Sequence, residues 1–458
     1  MQSVKVRTRR IKFWISLFRA YLSRYRLQIG STILVTTILV ISSAKLFGHL
    51  SSRNAVTIGF AGNYTLETVP TEVLALATDP LISIDKSGKS TPSLASHWTQ
   101  AEDGKTYLVF LKDNLKWHDD TQVEAKDITI AIENVTITAL NNKTLEFRLP
   151  SSLSSFPTAL NRPVFKTESF YGTGKFRIVA IDSQKEIIKK ISMVPKEEGL
   201  PHVDIKFYPT EQQLMTAIKI GDVKYARVTN AKLFERWQNM NVKREVDNTQ
   251  VVTIFFNTQD ELLSSVDLRQ SLIYSINRSN FDGTPATGPI SPENWAYSQD
   301  VGKYEYNTGK AKELLTKSQV KSPKITFSVH TGLMDVANSI KKDWEDLGIK
   351  VELKEENALT KDFQAFLAVE KLPPDPDQYA LWHSTQTTTN LTRLKDVRID
   401  KLLEDARSAQ KEDERKNLYA SFQKDLLDAA PAAFLYHPYI YQVVYKNQAK
   451  LVDMLPKN

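Results

Sequence analysis

The stretch KITFSVHTGLMDVANSIKKDWEDLGIKVEL, residues 324–353, decides the fold. Ile325, Phe327 and Val329 alternate with polar residues, the period of two that marks a strand. Asp335 stands where a helix cap is expected, and Val336, Ile340, Trp344 and Leu347 recur at helical spacing. Gly348 stops the helix, and Ile349, Val351 and Leu353 resume the alternation. Strand, helix and strand in immediate succession predict a β-α-β unit with parallel strands.

A second unit lies upstream in VDIKFYPTEQQLMTAIKIGDVKYARV, residues 203–228. Val203, Ile205 and Phe207 alternate, Thr210 and Gln213 form a capping box, and Leu214, Ala217 and Ile218 share a helical face before Gly221. Two such units more than 100 residues apart predict two α/β lobes, each with a largely parallel sheet. Outward from these, AVTIGF (55–60) reads as an opening strand, and Asp103-Gly104 as the turn of a hairpin ahead of KTYLVFL. A helix is expected over 124–134 and a short strand at 145–149. Ile399, Leu402, Leu403 and Ala406 predict one C-terminal helix; Leu418, Phe422, Leu426 and Ala429 predict another. FLYHPYIYQVVYK near the end reads as a closing strand pair, and no internal repeat or low-complexity linker is visible.

The chain of 458 residues is too long for one compact core. Its hydrophobic fraction of 41% and charged fraction of 25% are ordinary for globular protein. The absence of cysteine excludes disulfide scaffolds, thiol catalysis, Cys-ligated zinc, iron–sulfur clusters and a lipid-modified N-terminal cysteine. The net charge of +7 is local. Residues 1–26 carry eight Lys and Arg and no acid; removing those and Lys45 leaves 51 basic against 53 acidic residues over 46–458. A nucleic-acid-binding body is therefore disfavoured.

Residues 27–44 are free of charge and rich in Ile, Leu, Val and Thr. As a helix they reach about 27 Å, just enough for a bilayer core of about 30 Å. The favoured reading is one uncleaved transmembrane helix, assigned to 27–48, with 1–26 as a basic cytoplasmic segment and the body outside. The alternatives are a cleaved signal peptide, with Ser42 and Ala44 before Lys45, and a buried core helix.

No catalytic constellation emerges. The seven histidines include no pair at i, i+3 or i, i+4, and P-loop, G-x-S-x-G and G-x-G-x-x-G patterns are missing. Gly172-Thr173-Gly174 and His118-Asp119-Asp120 read as turns. In PPDPDQY (373–379), Asp375 and Asp377 are spaced to face one way and bind an amine or cation, or simply to cap a rigid turn; Trp382 and His383 follow at once. No enzyme activity, metal or cofactor is expected.

Seven blocks taken in order resemble the extracellular solute-binding proteins of ABC importers, family 5, the oligopeptide, dipeptide and nickel class. They are AVTIGFAGNYTLETVP (55–70) with LISIDKSGKSTPSLASHW (81–98), YLVFLKDNLKWHDDTQVEAKDI (107–128), FYGTGKFRI (170–178), FFNTQDELLSSVDLRQSLIYSINR (255–278), GPISPENWAY (288–297), DPDQYALWHS (375–384), and the run from DKLLEDAR to FLYHP. Asp120 and Lys175 stand where that family usually has Gly and Pro. The resemblance implies a two-lobed, type II-like periplasmic-binding-protein α/β fold with hinge crossovers. Lobe one would span 55–254 with a shortened accessory subdomain, lobe two 255–432, and 433–458 would return into lobe one. It implies a monomer that closes on a peptide or small polar solute and delivers it to ABC permease subunits, with no nucleic acid involved. Peptide-binding members grip the ligand's amino group with an Asp at the position of Leu372 here, so Asp375 or Asp377 becomes the candidate substitute. Tyr64, Trp117, Trp295, Tyr297, Asp375, Trp382 and His383 are the candidate cleft residues. The competing functions are a nickel or metal-chelate binder and a sensor or scaffold built on the same fold.

Overall fold

The computed structural model describes residues 54–302, 304–358 and 362–456. The expected cytoplasmic segment and transmembrane helix lie outside these residues; among those described, no helix is long and apolar enough to cross a membrane.

The opening strand β1 (Ala55–Ala61) is followed by a four-stranded antiparallel sheet of β2 (Ala95–Gln100), β3 (Thr106–Leu111), β4 (Thr136–Asn141) and β5 (Thr144–Arg148), in the order β2-β3-β5-β4. The Asp103-Gly104 turn joins β2 to β3 as expected: Asp103 Oδ1 accepts from the amides of Lys105 and Thr106, and Gly104 N–H donates to Ala101 O. Trp117, Phe147 and Phe156 fill the core of this subdomain. The helix expected over 124–134 is absent. Only one 3-10 turn, Ala125–Asp127, forms before extended chain. The β-branched run Ile128-Thr129-Ile130 explains the difference, because such side chains are stiff against a helical turn and favour extended backbone.

The hairpin β6 (Phe176–Gln184) and β7 (Ile187–Pro195) leads into the first predicted unit, β8 (His202–Tyr208), α1 (Glu211–Lys219) and β9 (Tyr225–Val228). β8 and β9 flank β1, both parallel to it. Thr210 caps α1 by accepting from the Gln213 amide, and Leu214, Ala217 and Ile218 are buried beneath it. Next, β10 (Met240–Val246) and β11 (Gln250–Phe256) carry the chain into the second half, where α2 (Val266–Tyr274) and the short β12 (Gly283–Pro285) precede α3 (Thr308–Lys317).

The second predicted unit is β13 (Lys324–His330), α4 (Met334–Glu345) and β14 (Lys350–Glu356), with the strands parallel and paired along their full lengths. Trp344 is its anchor. Its ring lies 4.9 Å from Phe327 and 6.4 Å from Phe256, and its Nε1 donates to Leu272 O at 3.2 Å. Such a buried indole contributes on the order of 3–5 kcal/mol by comparison with truncation to Ala. Asp335 does not cap α4: Leu333 holds the N-cap position, and Asp335 sits in the first turn, where its charge still complements the helix dipole.

After β15 (Ala365–Lys371), helices α5 (Val397–Ser408) and α6 (Glu412–Ala429) bury the faces read from the sequence, with Ile399, Leu403 and Ala406 in one and Phe422 and Leu426 in the other. The expected closing strand pair is instead one 14-residue strand, β16 (Ala432–Tyr445). Its first part pairs with β11 and β12, and its last part with β9 and β10. It therefore stitches the halves into one path, β14-β13-β15-β11-β16-β9-β1-β8-β7-β6. A mixed α/β architecture of two halves results.

Candidate functional site

Two cavities lie near the predicted site. The first, about 270 Å³, forms where the halves meet, with Trp98, Gln100, Tyr107 and Ser154 on one side and Trp295, Asp375 and Arg415 on the other. Its walls are pinned by polar contacts. Lys89 Nζ reaches Glu412 at 2.6 Å, and the Trp295 amide donates to Ser87 O at 2.9 Å. Asp375 Oδ1 accepts from Arg415 Nη2 at 2.8 Å and from the Asp377 amide at 2.9 Å. Asp377 Oδ2 accepts from Arg407 Nε at 2.7 Å and Ser155 Oγ at 3.2 Å. Burial pushes the Asp375 carboxyl above its ordinary range although Arg415 opposes this. Both aspartates of the DPD loop are thus committed to guanidinium groups of their own half. They stiffen the loop, and neither offers an unclaimed carboxylate to a ligand amine.

The second cavity, about 250 Å³, opens against β15 and is lined by Phe255, His330, Ala368, Val369, Glu370 and Thr389 among others. The Leu372 amide donates to Thr249 O at 2.8 Å, which sets the phase of the β15–β11 ladder. Residues 366, 368 and 370 exchange bonds with β11, so the amides and carbonyls of Val369 and Lys371 face the opposite edge. On that edge β13 pairs only with residues 365–367. Residues 368–371 therefore present a strand edge beside the cavity, with Val369 exposed on it.

Glu370 belongs to the inward face of the same strand, with Phe366, Ala368 and Leu372. It is 8% exposed, and among the described residues its Oε2 has no hydrogen-bond partner. Burial pushes its carboxyl up to about 8, although the neighbouring Thr253 hydroxyl pulls it down.

The seven sequence-predicted residues fall in different places. Trp295 and Asp375 line the junction cavity. Trp295 packs edge-on against Tyr419 and lies 5.2 Å from the Arg415 guanidinium. Tyr297 is half-buried and bonds Thr287 through its hydroxyl. Tyr64 donates to Ala61 O and packs on Phe207. Trp117 is fully buried in the accessory core. Trp382, 1% exposed, lies between Phe255 and Phe434 and donates to Gln378 Oε1, so its ring offers no stacking platform. His383, 3% exposed, stacks on Tyr379 and contacts Thr385 and Glu404. His118 bridges the Gly172 amide and the Gly174 carbonyl, which explains the two turns read there as one structural knot. Glu370 was missed. Its signal was a lone acid in the apolar run AFLAVEKL, two residues before Leu372.

The sequence profile of the bacterial extracellular solute-binding proteins, family 5, matches residues 89–390. The oligopeptide-binding protein AppA of Bacillus subtilis is 24% identical, with 89% of this chain and 90% of that protein covered. Among solved structures, NikZ from Campylobacter jejuni in complex with Ni(L-His) superposes with a TM-score of 0.70 at 20% identity, covering 86% of this chain and 94% of that one. AppA of B. subtilis in complex with a nonapeptide gives 0.66 at 20% identity, with 86% and 94% covered. The two-lobed α/β architecture is common to all of them. The chain belongs to the family 5 extracellular solute-binding proteins, non-enzymatic binding components of ABC importers.

Proposed function

We propose that this chain captures a peptide, or a similar polar solute, between its two lobes and presents it to ABC permease subunits. The observation that carries the reading is the strand edge at 368–371 beside the 250 Å³ cavity. An extended peptide adds to such an edge by main-chain pairing, while neighbouring pockets take alternate side chains. Lobe one is assigned to 55–254 with a small accessory subdomain, lobe two to 255–432, and 433–458 returns to lobe one. Closure follows from differential affinity: a ligand that contacts both lobes favours the state in which both reach it. The crossovers at 247–250 and 436–439 are the hinge, where His437 Nδ1 bonds Gln250 O and the Asp247 amide donates to Pro438 O. Residues 27–48 anchor the protein in the cytoplasmic membrane, with residues 1–26 inside and the binding lobes outside.

The test is thermal melting of the full chain in detergent against mixed di- to octapeptides, free amino acids and nickel with and without histidine. A ligand binding only the folded state stabilises it by about 2.7 kcal/mol at 100 Kd. A shift with peptides supports the reading. A shift with nickel alone, or none at all, refutes peptide capture.

A further inference from the structure

Beside β12 lies a third cavity, about 360 Å³, that shares no lining residue with the other two. Its walls come from residues 277–306 and from Leu427, Ala432 and Phe434, all of the second half. β16 enters it only with its first residues, ahead of the crossover at 436–439, so a molecule held here touches one lobe and does not bridge the two. Pro285, Ala286, Leu427 and Phe434 give it an apolar surface.

Opposite charges line this cavity without meeting. Arg278 is half-buried, and burial pulls its guanidinium down to about 10, so at neutral pH it is charged yet poorly solvated. Its Nε donates to Phe434 O at 3.1 Å and its Nη1 to Tyr304 O at 2.6 Å, which fixes the plane of the group. Nη2 bonds nothing among the described residues and is not sealed from solvent. Arg269 is the contrast. It too is buried with no acid beside it, but all three of its nitrogens are spent on the carbonyls of Leu263, Ser264, Ala429 and Ala430. Asn277 adds a second open donor to the cavity. Its Oδ1 accepts from the Ser279 amide and hydroxyl, while its Nδ2 is unengaged among the described residues. Glu305 is exposed on the same lining and, among the described residues, makes no ion pair with Arg278 or any other cation. A poorly solvated guanidinium with an open donor attracts a carboxylate. An acid on the same lining repels a plain anion and favours one that also carries a positive charge.

We propose that this cavity binds an amino acid with an apolar side chain, its carboxylate on Arg278 Nη2 and Asn277 Nδ2, its ammonium on Glu305, and its side chain against Leu427 and Phe434. The site goes beyond solute capture between the lobes, because its ligand contacts one lobe alone and does not drive closure.

The experiment is equilibrium dialysis of the full chain in detergent against tritiated L-phenylalanine, with and without an excess of a mixed di- to octapeptide pool. The expected result is bound label that the peptide pool leaves in place. Unlabelled 3-phenylpropionate, which lacks the amine, and phenethylamine, which lacks the carboxylate, should each compete less well than L-phenylalanine, on the order of 10- to 100-fold. Glu305→Gln alters an exposed side chain without an ion pair, so it should fold normally and lose affinity by the same order. Arg278→Gln should lose it as well; if that variant fails to fold, since its guanidinium also holds two carbonyls, Glu305→Gln and the two competitors decide. Displacement of the label by the peptide pool assigns the amino acid to the interlobe site and overturns the proposal. Equal competition by 3-phenylpropionate and L-phenylalanine, or an unaffected Glu305→Gln, overturns the pairing with Glu305 and with it the amino acid as ligand. No bound label overturns the site altogether. Each of these failures leaves peptide capture between the lobes standing, because that reading is judged by peptide binding alone.

Discussion

Replacing Glu370 by Gln should make the ligand-free protein more stable, and by an amount that depends on pH in a calculable way. The carboxyl ionises near 4.5 in the unfolded chain and near 8 in the fold, where burial disfavours its charge. As pH rises past 4.5 the unfolded state gains free energy by releasing a proton that the native state retains. The contribution to stability is thus intact below about 4.5, declines with rising pH, and is fully lost once pH passes about 8. At about 1.4 kcal/mol per unit, the native protein forfeits about 3 kcal/mol at pH 7 and about 5 kcal/mol beyond pH 8. Gln has nearly the same shape and no such penalty. The stability difference between variant and native chain should be small at pH 5 and grow to about 3 kcal/mol at pH 7. Differential scanning calorimetry of both proteins at pH 5, 6, 7 and 8 reads it, because every other titrating group cancels in the difference. A difference that stays constant across that range would refute the inference that the carboxyl is held neutral in the fold.

Other outcomes follow from the same contacts. Trp382→Ala removes an indole packed against Phe255 and Phe434 and strands Gln378, so thermal or urea unfolding should show a loss of about 3–5 kcal/mol. Arg415→Met leaves Asp375 as an uncompensated buried acid, a loss of roughly 3 kcal/mol at pH 7. Because burial already raises that carboxyl, the loss should shrink in melts near pH 4. Gly88→Ala places a Cβ 2.2 Å from Pro374 O in a left-handed backbone conformation with φ of +83°, so it should loosen the contact between the halves. Faster hydrogen exchange of the Trp295 amide, which donates to Ser87 O, is the readout.

Much of this fold was readable because burial and period coincide. In 324–353 and 203–228 every alternating or helically spaced apolar residue lies on a buried or half-buried face, so pattern and packing agree. The closing strand was misread as a pair because Pro438 interrupts it, a residue that normally ends strand pairing. In the structure Pro438 sits where β16 passes from one half to the other and its carbonyl accepts from Asp247, so the break marks a crossover and not a turn. The helix over 124–134 failed for a local reason, its β-branched run. Asp120, in place of the usual glycine, holds a φ of +64°, which its short polar side chain tolerates. The site was less legible. Aromatic and acidic residues in a Pro-rich loop suggested ligand contacts, but Trp382 is packing and Asp375 and Asp377 are already paired, facts that depend on Arg407 and Arg415 some 30–40 positions away. Glu370 escaped notice because a single acid in a strand reads as surface until pairing and register show which face it occupies.

Solute capture between two closing lobes is tested most directly by a distance measured across them. The chain has no cysteine, so Gln212→Cys on α1 and Asn338→Cys on α4, both exposed, give a clean pair for spin labels. With the full chain in detergent, double electron–electron resonance should show the distribution shift and narrow when the peptide pool is added to saturation. A distribution unchanged by peptides that demonstrably raise the melting temperature would contradict closure as the mechanism.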